Sequence, residues 1–289
     1  MNLAVTISGK CSVELVLRAK EAAQRWHLPF LERRRKAPLG PMLKGRAMLV
    51  FGAEGLALWD IHGVLRFTPG MARLRVKRID AGARDDLLLR TAGFESGQTV
   101  LDCTLGLAAD ALVAGRAVGR AGRVVGLESS LALFALTSEG LERYDPGPDS
   151  CRVHALHQSA ESFLGVQRDK SFDHVLFDPM FQRPRRSSPC FEMLRRFADY
   201  SPLTASMLHQ AARVARISVV VKGARHSDDL GKLGLSAQPG SRYATVLWAR
   251  LDGDALECAR RATTCPTCRP EPSSPPDHRQ GERPETFPA

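Results

Sequence analysis

A glycine-containing turn flanked by acidic residues carries the first chemical signal of the sequence. An apolar, strand-like run ends at Asp102, and residues 108–118 have helical composition, so residues 103–107 must form a tight turn from a strand into a helix. Gly106 in this turn has no Cβ and can adopt a left-handed conformation or leave room for a bound ligand. The first turn of the following helix presents free N–H groups beside it.

The acids around this turn indicate which ligand it would hold. Asp102 and Asp110 flank it, and neither the Gly-x-Gly-x-x-Gly pattern of pyrophosphate sites nor the Gly-Lys-Ser/Thr of a P-loop is present. Glu128 ends the next strand-like run, 26 residues after Asp102. In a doubly wound sheet these strand ends are adjacent, and Glu128 could accept hydrogen bonds from both hydroxyls of a ribose. The pattern favours a cationic, hydroxyl-rich cofactor such as S-adenosylmethionine; the alternative is an ordinary α/β turn with surface acids.

A second motif, Asp178-Pro179-Met180-Phe181, follows the strand-like residues 174–177. The exocyclic amine of guanine or adenine is a poor nucleophile, because its lone pair is delocalised into the ring. A carboxylate at Asp178 and a backbone carbonyl at Asp178 or Pro179 could each accept one N–H, while Phe181 stacks on the base. We therefore predict Asp178, Pro179 and Phe181 as catalytic residues; the alternative is a strand-ending Asp-Pro turn.

Three segments together resemble class I S-adenosylmethionine-dependent methyltransferases, namely residues 101–110, residues 126–130 (Gly-Leu-Glu-Ser-Ser) and residues 178–181. They are most similar to the ribosomal small-subunit methyltransferase J group and its uncharacterised bacterial relatives, and the likeness extends from about Val5 to Leu251. The resemblance implies methylation of the N2 amine of a guanine in 16S rRNA. It also implies RNA or the small ribosomal subunit as partner and no required metal.

The resemblance assigns cofactor positions and exposes two departures from the family pattern. Ala108 replaces the second glycine of a Gly-Leu-Gly loop, and Gln182 replaces a proline that often follows residues 178–181. Ala108 is tolerable only if its backbone angles are ordinary, and neither change removes a polar group. With the residues of the turn, the predicted cofactor-binding set is Asp102, Thr104, Gly106, Ala109, Asp110, Glu128, Ser129, Ser159, Ala160 and Asp178.

The net charge of +10 is distributed unevenly and favours a polyanionic partner. Residues 1–50 carry ten Lys/Arg against three acids and residues 201–250 carry seven against two, whereas residues 101–150 are net negative. The alternative is a basic surface that meets only solvent. The predicted RNA contacts are Arg33, Arg34, Arg35, Lys36, Arg73, Arg75, Arg183, Arg185 and Arg186.

Length and composition exclude several protein classes. The 289 residues are 44% hydrophobic, and no apolar run approaches 18 residues, so no membrane span is expected. The N-terminus lacks a signal-peptide pattern and the seven cysteines do not suggest a disulfide framework, which together predict a cytoplasmic protein. No metal site is expected either, because Cys265 and Cys268 have no second pair nearby and His154 and His157 stand alone.

The order of predicted elements indicates an α/β fold of the Rossmann-like class I methyltransferase type, with a mainly parallel sheet, helices on both faces and a small N-terminal α+β subdomain. The subdomain is predicted over residues 1–80, with strand-like residues 71–79 placing Arg73, Arg75 and Lys77 on one face. The cofactor-binding domain is predicted over residues 81–255. Residues 263–289, rich in proline, are predicted to be disordered.

Three function classes remain open from the sequence. They are an RNA base methyltransferase, acting on a guanine amine or alternatively on an adenine amine; a methyltransferase acting on a small molecule or a protein side chain; and a non-catalytic RNA-binding protein of methyltransferase fold. The first accounts for the basic flanks and the Asp178 motif together. The second predicts no salt-sensitive RNA binding. The third predicts RNA binding without affinity for S-adenosylmethionine.

Overall fold

Two β-sheets, one near the N-terminus and one in the rest of the chain, organise the protein. The computed structural model describes residues 2–9, 11–34, 37–180, 189–225, 227–238 and 244–264. The N-terminal sheet consists of β1 (Leu3–Ile7), β2 (Ala47–Gly52), β3 (Gly55–Asp60) and β4 (Gly63–Arg66), in that spatial order. β1 and β2 are parallel, and the other pairs are antiparallel. This sheet is the β part of the small N-terminal α+β unit that the predicted fold class includes.

The N-terminal sheet is covered on one face by helix α1 (Val13–Arg25). Ser12 caps this helix by accepting a hydrogen bond from the N–H of Leu15, at 3.3 Å. Its buried alanines and the adjoining Trp26 pack on β1 and β2, and the Trp26 ring stacks on Phe51 with centroids 6.2 Å apart. The short 3₁₀ turn Gly40–Leu43 packs against the opposite face of the sheet.

The second sheet has six strands: β5 (Thr99–Asp102), β6 (Arg123–Glu128), β7 (Val153–His157), β8 (Phe172–Phe177), β9 (Ala215–Ala224) and β10 (Val246–Leu251). Their order is β10-β9-β8-β5-β6-β7, with β10 antiparallel to β9 and the rest parallel. The chain therefore moves outward from β5 in one direction and then returns to build the other side. The carboxyl ends of β5, β6 and β8 meet at this reversal, where doubly wound sheets bind their ligands.

Helices cover both faces of the six-stranded sheet. They are α2 (Gly70–Asp80), α3 (Leu87–Ala92), α4 (Ala109–Val118), α5 (Leu131–Arg143), α6 (Ala160–Val166), α7 (Pro189–Phe197), α8 (Ala205–Val214), α9 (Asp229–Lys232) and α10 (Gly253–Thr264). One apolar cluster joins the sheet to α2, α3 and α4, and another joins it to α6, α8 and α10. The predicted α/β fold with helices on both faces is confirmed.

The two sheets share one apolar core through α5 and α7. Leu133 and Leu136 of α5 and Phe197 of α7 belong to the same buried cluster as the inner face of the N-terminal sheet. Two ion pairs cross the same boundary, Arg18 with Glu139 at 2.9 Å and Arg196 with Asp60 at 2.6 Å. The N-terminal sheet therefore packs on the six-stranded sheet through these two helices and ion pairs.

The strand predicted over residues 71–79 is wrong, since these residues form α2. Ala72, Val76 and Ile79 lie on one side of this helix and pack toward α4, whereas Leu74 is 55% exposed. The alternation of basic and apolar residues resembles a strand, but the spacing of the three packed residues is that of a helix. The basic side chains therefore do not form the expected flat stripe.

The predicted end of the cofactor-binding domain at residue 255 falls inside α10. Leu256 of this helix is buried in the cluster that contains α8. The helix continues to Thr264, two residues into the segment predicted to be disordered. The remaining tail residues, including Cys265 and Cys268, lie outside the described residues.

Candidate functional site

The turn after β5 has the tight geometry that the sequence predicts. The backbone N–H of Cys103 donates to the carbonyl of Leu176 on β8, and that of Leu105 donates to Leu127 on β6, each at 2.9 Å. Gly106 has a φ of +50°, and a Cβ added to it would meet only the carbonyl oxygen of Thr104, at 4.0 Å. The turn is thus held by both neighbouring strands and leaves open space above Gly106.

Ala108 has unusual backbone angles, contrary to expectation. Its φ is 62° and its ψ is 22°, in the left-handed region where a non-glycine residue is disfavoured by about 1–2 kcal/mol. Its N–H donates to the carbonyl of Leu105 at 2.7 Å, and its side chain is fully buried. Ala108 therefore adopts a conformation that glycine tolerates better, and the turn and the core around its methyl group fix it there.

Glu128, the predicted ribose-binding acid, is attached to the turn. Its Oε2 accepts a hydrogen bond from the N–H of Gly106 at 3.0 Å, and its Oε1 accepts one from Ser130 at 2.9 Å. Burial raises the pKa of this carboxyl, and the two backbone donors partly oppose that rise. The structure thus brings Glu128 and Gly106 together at the carboxyl ends of β5 and β6.

Asp102 is a buried carboxylate at the end of β5. Its Oδ1 accepts hydrogen bonds from the N–H of Thr104 at 2.9 Å and from the Thr104 hydroxyl at 3.4 Å. Among the described residues, no cationic side chain lies within ion-pair distance of it. Burial raises the pKa of Asp102 to about 7. Its environment therefore favours a positively charged ligand.

Asp178 directly follows β8, the strand that pairs with β5, which ends at Asp102. Its backbone N–H donates to the hydroxyl oxygen of Thr104 at 2.6 Å, so Thr104 links the two carboxyl residues. Its Oδ2 accepts a hydrogen bond from Nζ of Lys222 at 2.7 Å. Burial raises the pKa of Asp178 to about 6 against the lowering effect of Lys222. The side chain remains 34% exposed and is therefore accessible to a bound ligand.

Asp110, at the start of α4, lies among cations. Its Oδ1 pairs with Arg75 at 2.5 Å and its Oδ2 with Lys222 at 3.0 Å. Despite burial, Lys222 and Arg75 hold the pKa of Asp110 below its usual value. Asp110 is thus at the predicted site, but both of its oxygens are engaged by side chains of α2 and β9.

The environment of Arg75 does not suit its predicted role as an RNA contact. Its guanidinium also binds Asp86, at 2.7 and 3.0 Å, and only 23% of its side chain is exposed. We therefore assign Arg75 to the charged network rather than to an RNA surface. Lys222 is a residue of this network that the sequence pattern does not reveal. The available signal is a lone lysine directly after the apolar strand residues 217–221.

Ser129, Ser159 and Ala160 lie at the same edge, beyond β6 and β7. Ser159 caps α6 by accepting from the N–H of Ser162 at 3.2 Å, and Ala160 is the first residue of that helix. The hydroxyl of Ser129 donates to Asp199 at 2.8 Å. The register pairs Glu128 with His157, so these residues follow strands that end side by side. Ala109, the first residue of α4, adjoins the glycine turn.

Several predicted site residues lie outside the described part of the chain, and their roles stay predictions. They are Phe181, Arg35, Lys36, Arg183, Arg185 and Arg186. Of the other predicted RNA contacts, Arg34 and Arg73 are exposed, and Arg33 is half-buried with its Nε donating to the carbonyl of Ala37 at 2.8 Å. Pro179 directly follows Asp178 and is half-buried.

The described residues contain no group of three or more His, Cys, Asp or Glu side chains arranged to hold a metal ion. Within the same ranges, no helix is both long and apolar enough to cross a bilayer.

Comparison with known proteins assigns this arrangement to a family. Residues 49–241 match the family model described as "Putative SAM-dependent methyltransferase". The uncharacterised protein YpiP of Bacillus subtilis is 34% identical over 226 residues, which cover 75% of this chain and 87% of YpiP. The crystal structure of the SAM-dependent methyltransferase NGO1261 of Neisseria gonorrhoeae is similar in fold, with a TM-score of 0.56 at 17% identity, covering 86% of this chain and 94% of that one.

Proposed function

The chain belongs to the family of S-adenosylmethionine-dependent methyltransferases, and we propose that it methylates the exocyclic N2 amine of a guanine in ribosomal RNA. S-adenosylmethionine is its cofactor. The proposed acceptor follows from the resemblance of the motifs, from the chemistry available at Asp178 and from the basic character of the chain.

The charges at the site suit the cofactor. Four carboxylates converge on the strand ends, those of Asp102, Asp110, Glu128 and Asp178, whereas Lys222 and Arg75 supply the positive charge. Burial and the neighbouring carboxylates raise the pKa values of Asp102 and Asp178 to about 7 and about 6, against the lowering effect of Lys222. A cofactor carrying a sulfonium and an ammonium group would favour the ionised forms of both carboxyls.

Each part of the site has a separate task in holding the cofactor. Glu128 would bind the ribose hydroxyls, as an acid at the end of the second strand does in other nucleotide sites. Asp102 would bind the ammonium group, since it is a buried carboxylate that, like Glu128, has no ion-pair partner among the described residues, and Thr104 links it to Asp178. Gly106 leaves the space above the turn open.

Asp178 is the residue that would act on the acceptor. When bound, the cofactor supplies an electrophilic methyl group on a sulfonium centre. On transfer the acceptor nitrogen would gain the methyl group as its bond to sulfur breaks, and the nitrogen would lose a proton. Asp178 would accept one N–H of the amine, turn its lone pair toward the methyl group, and take up the proton.

An outer cavity of about 360 Å³ on the N-terminal sheet supports a polymeric acceptor. Trp59, Arg33 and Arg66 line it, and Arg66 has one weak ion pair, 3.6 Å from Glu54, whose side chain is 83% exposed. An aromatic ring beside guanidinium groups can bind a nucleotide through stacking and phosphate contacts. Trp59 lies on the sheet face opposite the one packed on α5. Under this proposal an RNA acceptor would occupy this cavity while its target base is bound at Asp178.

The observation that carries the proposal is the position of Asp178, hydrogen-bonded through its N–H to Thr104 of the cofactor turn and still partly exposed. The test is to incubate the purified protein with methyl-labelled S-adenosylmethionine and, separately, total RNA, total protein and a small-molecule extract. We expect label in the RNA alone. Label in protein or in small molecules would mean that the acceptor is not RNA. RNA binding without any methyl transfer would indicate a non-catalytic protein.

A further inference from the structure

Lys222 occupies a bridging position at the centre of the site. It lies on β9, beside β8, and its Nζ is 2.7 Å from Oδ2 of Asp178 and 3.0 Å from Oδ2 of Asp110. The same nitrogen lies 5.2 Å from the centre of the Trp248 ring. Only 18% of the side chain is exposed. A single ammonium group is therefore held from three directions, and one of its partners is the carboxylate assigned to the acceptor.

The network behind Lys222 makes this position rigid. Asp110 is held on its other oxygen by Arg75, and Arg75 is held in turn by both oxygens of Asp86. These residues come from three different elements, α2, the N-cap of α3 and the start of α4. The network therefore fixes the position from which the ammonium group contacts Asp178.

Stability alone is a weak reason for this arrangement. Replacing a buried ion pair with well-packed apolar side chains is often neutral or stabilising, because desolvation of the charges offsets their attraction. The neighbours of Lys222 on β9, Val219, Val220 and Val221, are apolar and buried, so an apolar side chain would suit the strand. The feature that distinguishes position 222 is contact with Asp178.

We propose that Lys222 is a positioning residue for methyl transfer, which holds one oxygen of Asp178 so that the other faces the acceptor amine. This inference rests on the proposed role of Asp178. Lys222 also keeps Asp178 ionised in a site that already contains other carboxylates. It does not contact the reacting atoms itself, and its effect reaches the reaction through Asp178.

The charges that face Asp178 define the expected pH dependence. They are Lys222 on β9, Asp110 on α4 and Asp102 at the end of β5. Burial raises the pKa of Asp178, Lys222 lowers it, and Asp110 adds to the rise. Without the ammonium group, burial and the neighbouring acids would raise the pKa of Asp178 further. A base must be deprotonated to act, so the acid limb of the rate profile should then move to higher pH.

The experiment compares Lys222→Met, Lys222→Arg and the surface control Lys232→Met, an exposed lysine at the end of α9. Single-turnover transfer to RNA is measured between pH 5 and pH 9. For Lys222→Met we expect the acid limb to rise by about one pH unit or more, with roughly a tenfold loss at pH 6 that recovers in part at pH 9. Lys222→Arg should restore most of the parental profile, and Lys232→Met should match it.

A second readout separates this inference from the proposed function. Carbon NMR of aspartate-labelled protein, assigned with Asp178→Asn, follows the ionisation of Asp178 without any substrate. A parental enzyme that transfers no methyl group, with Asp178 titrating at higher pH in Lys222→Met, overturns the proposed function and leaves the hold of Lys222 on Asp178 in place. Identical titrations for the parent and Lys222→Met, or equal loss in Lys222→Met and Lys222→Arg at every pH, overturn the role of Lys222.

Discussion

The charged centre at the strand ends and the outer cavity on the N-terminal sheet use cations in opposite ways. At the centre, Lys222 and Arg75 are largely buried and each contacts two carboxylates. In the cavity, Arg66 is 43% exposed and has one distant acidic partner. Buried, paired charges fix the geometry of neighbouring groups, whereas exposed guanidinium groups can exchange water for phosphate. Under the proposed function we therefore expect loss of a buried cation to change the reaction at Asp178, and loss of an exposed one to change the affinity for RNA.

The largest expected effect is at Asp178, where loss of the carboxylate should remove catalysis but little cofactor binding. Asp178→Asn keeps the shape of the side chain and cannot take up the proton. We expect the single-turnover rate to fall by about 10²- to 10⁴-fold. The measurement is rapid-quench transfer with saturating RNA and cofactor. A rate equal to that of the parent would make the Asp178-Pro179 turn purely structural.

Glu128 should show the reverse pattern, with loss of cofactor affinity. Hydrogen bonds to a charged group contribute about 1.5–3 kcal/mol each, so Glu128→Ala should weaken S-adenosylmethionine binding about tenfold or more. Calorimetric titration of this variant beside Glu142→Ala, an exposed acid of α5, gives the comparison. Equal affinity of the two variants would exclude Glu128 from the ribose site.

We expect the carboxylate of Asp102 to lower the stability of the cofactor-free protein at high pH and to strengthen cofactor binding. Its folded pKa of about 7 lies above the ordinary value of 3.8, so it contributes stability that is complete below pH 3.8 and lost as the pH rises through about 7. Asp102→Asn should therefore raise the free energy of unfolding at pH 8 by about 1–3 kcal/mol and change little near pH 4. It should also weaken cofactor binding.

Urea unfolding without cofactor at both pH values measures this effect of Asp102. Asp149→Asn, an exposed acid before β7, is the matched control. An Asp102→Asn variant that is less stable at pH 8 than the parent would show that the buried carboxylate is already compensated in the cofactor-free protein.

The smallest effects are expected in the outer cavity. If Arg33 and Arg66 each contact one phosphate, their joint replacement by alanine should make the log–log salt dependence of RNA affinity shallower by about 1.4–1.8. Binding titrations at several salt concentrations measure the slope. Arg120→Ala, an exposed arginine before β6, should leave it unchanged. An unchanged slope in the double variant would assign the cavity to solvent.

The sequence predicts the strand–turn–helix units well because their signals are local. β5 ends at Asp102 and β6 ends at Glu128, as the sequence predicts. Ser130 then begins α5 by accepting a hydrogen bond from the N–H of Leu133. Glu128 and Gly106 could be assigned together because neighbouring parallel strands end at one edge.

The remaining features depend on contacts between distant parts of the chain. Asp110 and Lys222 are 112 residues apart, and Arg75 lies 35 residues before Asp110, so no local pattern could pair them. The sequence of α2 predicts a strand because its basic residues alternate, whereas contacts with α4 determine its packed face. The left-handed angles of Ala108 follow from the turn and not from the preference of alanine.

The central claim, methylation of a guanine N2 amine in ribosomal RNA, is tested most directly by identifying the methylated nucleoside. Ribosomal RNA and small subunits from cells lacking this protein are incubated with the purified enzyme and methyl-labelled S-adenosylmethionine, digested, and analysed by mass spectrometry, with Asp178→Asn as the inactive control. The account predicts labelled N2-methylguanosine that is absent from the control. Label confined to N6-methyladenosine, or to no RNA nucleoside, would contradict it.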